Sequence, residues 1–373
     1  MKTSTVHNLI AKHGTELAME VRDLVTAQID ALKDIVETEG LDCEFELRRS
    51  YDVFIDPEEA EKAKKDFLAS VEAGARWTRD VDLVEGGNVE QVSPCRPLST
   101  QDYAHVAQVT SIKDAKVALS SPICSLSPYK FVCQILSRLL DRKALNLQTN
   151  TLVTNITSSN GTNIISIPRG TLRATKLIFA TNGYTAGISL PFVNKIIPVR
   201  GTASHLTPSK PVSPHLSHTY NIAYTRPSAE SQSRVDYLNP RPDGSIVVGG
   251  ANWTYNHDRS AWYDNFDDSA LMPEAVPHFD SLMRRNFLGW EGAGAGVESV
   301  WMGIIGYTGD ELPFVGVVPG MSGQWALAGF NGGGNAMCWL CGKGVAEMVA
   351  GGKVFGETGL PRLFEVTGER LGR

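Results

Sequence analysis

Gly329-Phe330-Asn331-Gly332-Gly333-Gly334-Asn335 is the stretch whose composition points most directly to chemistry. Successive glycines let a backbone approach a ligand without Cβ clashes. A strand pattern, Gln324 to Ala328, precedes the stretch. An apolar helix pattern, Ala336 to Val349, follows and stops at Gly351-Gly352. A helix starting near Asn335 aims free N–H groups and its positive dipole end at the turn, where an electron-rich carbonyl would be stabilised. Read alone, the stretch is equally a flexible strand-to-helix connector.

Other chemical candidates are weaker. Cys338-Trp339-Leu340-Cys341 has CxxC spacing, but no second CxxC or His pair accompanies it, so zinc and any other metal are not expected. It falls inside an apolar helix pattern, where two core thiols are expected. Gly292-Ala293-Gly294-Ala295-Gly296 misses the third glycine of a dinucleotide loop, since Val297 stands next. His205 and His257 have no partner at metal or triad spacing, and nothing suggests hydrolysis. No residue stands out as a general base, so the catalytic residues stay unassigned.

These residues need elements to position them. Leu17, Val21, Leu24, Val25, Ile29, Leu32 and Val36 recur mostly at spacings of three and four, which predicts one long helix ended by Gly40. Cys43 to Phe54 partly alternates, as a half-buried strand does. Asp56-Pro57 opens a second helix and Pro128 a third. Leu145 to Ile156 and Asn163 to Ile167 predict short strands split at Asn160-Gly161. Ala174 to Gly183 predicts a buried strand ending in a tight turn. Residues 195–260 read as an antiparallel sheet, with Pro242-Asp243-Gly244 as one turn. No internal repeat is present.

At 373 residues the chain can bury a large core, as one domain or two intertwined ones. A net charge of −6 argues against a nucleic-acid partner, whose binding rests on a basic surface. No run approaches the ~18 apolar residues of a membrane span, so no membrane partner is expected. The start lacks the apolar core of a signal peptide, and the end lacks a peroxisomal import signal. Six cysteines form no disulfide framework, so a reducing, cytoplasmic location is expected.

Trp301, Gly303, Thr308, Asp310, Pro313 and Gly316, followed by the Gly-rich turn, resemble the closing segment of the D-amino-acid oxidase/glycine oxidase/sarcosine oxidase family of FAD enzymes. Leu147 to Val153 resembles the family strand that passes the FAD adenine. Ile178 to Tyr184 resembles the segment that closes the dinucleotide domain. Ile197-Pro198-Val199-Arg200-Gly201 is similar to the crossing into the substrate domain, and Asp236 to Gly250 to a substrate-domain hairpin.

The resemblance implies a mixed α/β (α+β) fold. An incomplete FAD-binding Rossmann-like domain (1–40, 101–194 and 296–373) would interweave with an antiparallel-sheet substrate domain (41–100 and 195–295). It implies FAD contacts at Leu152, Val153, Thr181, Asn182, Gly183, Asp310, Gly329, Phe330, Asn331, Gly332, Gly333, Gly334 and Asn335. Tyr224, Arg226 and Tyr307 would face a small-molecule amine substrate, oxidised by FAD at a C–H bond next to nitrogen. Two family residues are replaced: Gly333 stands where the turn often carries His, and Ala336 where sarcosine oxidases carry Lys.

Family members open with a strand-GxGxxG-helix unit and an acidic ribose-binding residue about 20 residues further on. This chain opens with Met1-Lys2-Thr3-Ser4 and runs into a helix, so that unit is expected to be lacking. A truncated sequence, a separate nucleotide-binding polypeptide, and a flavin-free pocket protein (a cyclase-like enzyme or a binding module) are the three explanations open at this level.

Overall fold

A computed structural model describes residues 3–85, 106, 107, 109–225 and 234–372. Two helices lead: α1 (Thr3–His13) and α2 (Thr15–Glu39). Helix α2 buries Val21, Leu24, Val25, Leu32 and Val36 and ends at Gly40, whose left-handed backbone lets its N–H return to Val36 and Glu37 carbonyls. Helix α3 (Pro57–Glu72) starts where Asp56 accepts the N–H groups of Glu58 and Glu59. Helix α4 (Pro128–Asp141) is capped by Ser127.

Eight strands make the main sheet, in the order β12-β8-β11-β10-β9-β1-β3-β2. They are β1 (Glu46–Phe54), β2 (Asp82–Val84), β3 (Val117–Ser125), β8 (Ile196–Thr207), β9 (Thr219–Tyr224), β10 (Arg234–Pro240), β11 (Ile246–Gly250) and β12 (Gly296–Thr308). Pairing is antiparallel except between β1 and β9. Strands β3 and β12 lie outside residues 195–295 yet join this sheet, because their ladders are completed by β1 and β8. One sheet face is the core: Ile222, Leu238, Ile246, Val248 and Leu206 pack on Phe279, Leu282 and Met283 of helix α5 (Val276–Asn286).

A smaller sheet runs β13-β14-β7: β13 (Phe314–Val317), β14 (Gln324–Ala328) and β7 (Leu177–Phe179), with β14 and β7 parallel. Helix α6 (Cys338–Gly351) follows β14 and packs with α2 in one core cluster that includes Val345, Met348, Leu24 and Met19. Strands β4 (Asn155–Ser159), β5 (Thr162–Ile167) and β6 (Gly170–Ala174) form a meander, with Asn160 and Gly161 both at positive φ in its first turn. No helix among the described residues is long and apolar enough to cross a membrane.

Two expectations are corrected. Residues 144–154 form no strand, and Leu152 is 71% exposed, because no described strand offers a ladder to that segment. The helix after the Gly-rich turn begins at Cys338 rather than near Asn335, since Asn331–Ala336 winds first into a tighter 3₁₀ turn. Cys338 is therefore the first residue of α6 and exposed, while Cys341 is buried.

Arg370 ties the far end of the chain to this body. Its guanidinium donates to both Asp310 oxygens (2.8 and 3.2 Å) and to the carbonyls of Leu312, Pro313 and Glu365. Burial raises the Asp310 carboxyl, but the Arg370 hydrogen bonds and charge, with the Leu312 N–H, carry it below the ordinary carboxylate range. A depressed carboxyl stabilises the fold above the unfolded value, and that contribution is lost as pH falls through the folded one. Arg370→Met should cost about 2–3 kcal/mol near neutrality. It should also flatten the loss of stability below about pH 4, read as denaturant midpoints across acid pH. An unchanged acid slope would remove Asp310 from that account.

Candidate functional site

The Gly-rich turn is built by three buttresses. Asn182, at positive φ after β7, accepts the main-chain N–H groups of Gly329 and Phe330, each at 3.0 Å. Asn331, also at positive φ, accepts the Thr308 N–H at 3.0 Å and donates to Thr308 Oγ1 and the Gly329 carbonyl. Gln28 of α2, 2% exposed, donates to the Asn335 carbonyl and accepts the Leu340 N–H. Phe330 is buried beneath, with Leu119, Leu312 and Val315.

Glycine is required where the segments cross. A Cβ on Gly306 would stand 2.8 Å from the Gly183 nitrogen, and one on Gly183 2.9 Å from Ile304 Cγ2. Thr181 is joined to Thr185 through their hydroxyls at 2.9 Å. The structure thus brings Thr181, Asn182 and Gly183 against the start of the turn at Gly329 and Phe330. Tyr307 is beside them, since a Cβ on Gly332 would meet its hydroxyl at 3.6 Å. Gly332 and Gly333 are exposed, so bare backbone faces outward. The first N–H groups of the 3₁₀ turn have no partner within it.

Other expected residues are elsewhere. The Asp310 carboxylate is occupied by Arg370, and Leu152 and Val153 lie in the strandless segment. Tyr224 points to the core face, where its hydroxyl donates to Asp236 at 2.9 Å and accepts from Asn286 at 2.6 Å. Arg226 lies outside the described residues. Among the described residues no group of three His, Cys, Asp or Glu side chains could hold a metal.

Sequence reasoning missed Gln28. Its signal was a polar residue on the apolar stripe of α2, four positions from both Leu24 and Leu32. It also missed the second face of the main sheet, where Tyr237 and Trp301 share one cross-strand row through Gly249 and Ala203.

Among the described residues a Gly-rich turn thus lies between a parallel strand pair and a helix, beside a large mixed sheet. The family model for FAD dependent oxidoreductases (DAO) matches residues 4–348, and the chain belongs to that family. No curated protein matches it closely enough to count. Among solved structures, glycine oxidase from Geobacillus kaustophilus aligns at 17% identity and TM-score 0.67, over 93% of this chain and 82% of that one. Glycine oxidase from Bacillus cereus ATCC 14579 aligns at 15% and 0.66, over 91% and 83%. L-proline dehydrogenase from P. horikoshii aligns at 16% and 0.65, over 89% and 79%. At such identities these show a shared fold.

FAD, the family's cofactor, fits the turn end of this arrangement: exposed backbone at Gly332 and Gly333, first N–H groups without a partner inside the 3₁₀ turn, and the Asn182 strut. Leu152 and Val153, expected at the adenine, lie in a segment with no strand partner among the described residues.

Proposed function

We propose that the chain forms the turn-and-sheet part of an FAD-dependent oxidoreductase that oxidises a C–N bond of an amine or amino-acid-like small molecule. The observation that carries this is the Gly-rich turn, braced by Asn182, Asn331 and Gln28, beside the open sheet face at Tyr307. Bound FAD would supply the two-electron acceptor for the C–H bond next to nitrogen, leaving an imine that water can hydrolyse.

In this reading the first N–H groups of the 3₁₀ turn, those of Asn331 and Gly332, hold the flavin end, and Asn182 fixes the Gly329-Phe330 backbone that leads into them. The second face of the main sheet orients the amine. Burial pushes the Tyr307 and Tyr237 hydroxyls above their ordinary range, so both stay neutral donors at physiological pH. A free-base amine needs no protein base to release its hydrogen, which agrees with the unassigned general base. Among the described residues Cys43, Cys124, Cys133, Cys338 and Cys341 are free thiols, which supports a reducing, cytoplasmic setting.

The reading includes a partner. Among the described residues β7 pairs with β14 on one side only, and residues 144–154 are strandless. A nucleotide-binding unit with parallel strands, on this or another polypeptide, would complete both edges. A flavin-free pocket protein is the second reading, favoured by the strandless segment at Leu152 and Val153 alone. Titrating the purified chain with FAD, followed by visible absorption, separates them. Weak binding that tightens when a nucleotide-binding unit is supplied supports the first reading. A folded chain that takes up no flavin in either condition supports the second, and tight one-to-one binding by the chain alone removes the need for the partner.

A further inference from the structure

The second face of the main sheet carries a slot whose lining defines a ligand class. Successive strand residues point to opposite faces, so Tyr237 lies opposite to its buried neighbours Asp236 and Leu238. Trp301, Ala203, Gly249 and Tyr237 form one cross-strand row on this face. The Tyr237 ring lies across Gly249, where a Cβ would stand 2.0 Å from the ring. The next row is Gly303 opposite Gly201, then Ile305 opposite Val199, then Tyr307 opposite Ile197.

At Gly303 a Cβ would meet nothing within 4 Å, whereas one on Gly201 would stand 3.0 Å from Ile305 Cδ1, so the bare backbone floor is at Gly303, with Ile305 lying over Gly201. Trp301 and Ile305 stand at its two ends, about 13 Å apart along an extended strand. Tyr237, Trp301 and Tyr307 are 51%, 43% and 39% exposed. Large aromatic groups normally avoid such exposure in a contiguous patch unless a ligand covers them. Between the Tyr237 row and Tyr307 the strand residues facing the slot are Gly, Ala, Val, Ile, Trp and Tyr. The Tyr237 row continues to Asn221 and the Asp52 carboxylate, and Glu311 acts on Tyr307, so the charges beside the slot among these residues are acidic. A carboxylate would be desolvated there without a counter-charge. A flat, uncharged ring would lie on the glycine floor with aromatic edges around it.

We infer that this slot selects a planar ring, so that the substrate class is an aryl- or heteroarylalkylamine and not a small amino acid. The inference rests on the amine-oxidation reading, because it takes the slot beside Tyr307 and the Gly-rich turn to be the substrate side. It makes Trp301 and Tyr237 specificity-determining residues.

The test is binding of benzylamine, cyclohexylmethylamine and glycine to the full chain with FAD present, read by calorimetry and by quenching of tryptophan fluorescence. Benzylamine should bind about tenfold more tightly than cyclohexylmethylamine, and glycine should show no saturable binding. Trp301→Leu and Tyr237→Leu should each erase the benzylamine preference while circular dichroism stays native. Gly303→Val, which fills the floor on a strand that accepts β-branched residues, should do the same if either ring variant fails to fold. Equal affinity for the two amines, or a preference that survives in the folded variants, would overturn the inference. Ring selectivity without flavin reduction by any amine would keep the slot and sink the oxidation reading. Flavin reduction by glycine or alkylamines without ring selectivity would do the reverse.

Discussion

Asn182→Ala should cost about 2–4 kcal/mol of unfolding free energy, because it leaves two main-chain N–H groups without their acceptor. The Asn182 side-chain oxygen takes the N–H groups of both Gly329 and Phe330 at 3.0 Å. Phe330 is buried, so its N–H finds water poorly once the acceptor is gone. Asparagine also tolerates the positive φ of 42° at this position better than alanine does. The same substitution should weaken FAD binding by at least tenfold, since the turn loses its fixed direction. Asn182→Asp keeps an acceptor in place and should recover most of the stability. Denaturant unfolding with parallel FAD titration reads both effects. A change within about 0.5 kcal/mol for Asn182→Ala would show that the strut does not hold the turn.

Asp236→Ala should be more severe, at about 3–5 kcal/mol. Asp236 is fully buried. It accepts from His278 Nε2 at 2.7 Å, from the Tyr224 hydroxyl at 2.9 Å and from the Ala251 N–H at 2.9 Å. Ala251 sits in a left-handed conformation that this bond helps to hold. Burial pushes the Tyr224 hydroxyl far up, with Asp236 adding to it, so Tyr224 stays a donor. Removing the carboxylate therefore strands three donors in the space between the sheet and α5. Asp236→Asn preserves shape but turns an amide N–H toward donors, and should recover less than half the loss. Equilibrium unfolding of the two variants decides this, and a loss under 1 kcal/mol for the alanine form would refute a structural centre at Asp236.

Much of the fold was legible because local chemistry wrote it. The stripe from Val21 to Val36, Gly40 and the starts at Asp56-Pro57 and Pro128 each carry their own helix signals, and α2, α3 and α4 follow them. The turn residues Asn160-Gly161 and Pro242-Asp243-Gly244 likewise mark hairpins that exist. The strand predicted at 145–156 starts only at Asn155, because a strand needs a neighbour and periodicity says nothing about whether one is present. Residues 331–336 defeated the helix boundary because a run of glycines has little propensity to set one.

At the site, the division is similar. The amino-acid sequence determined by itself that a Gly-rich turn follows a strand, that Asn182-Gly183 ends another, and that Trp301 to Gly316 leads into them, since each is a contiguous pattern. Only the tertiary structure decided that Asn182 spans 147 residues to brace Gly329, that Gln28 reaches Asn335, and that Tyr224 turns to the core while Tyr237 faces the slot. The physical reason is register: a strand's alternation fixes which residues share a face, but which face is open depends on what α5 covers, and that is set by packing between segments far apart in the chain.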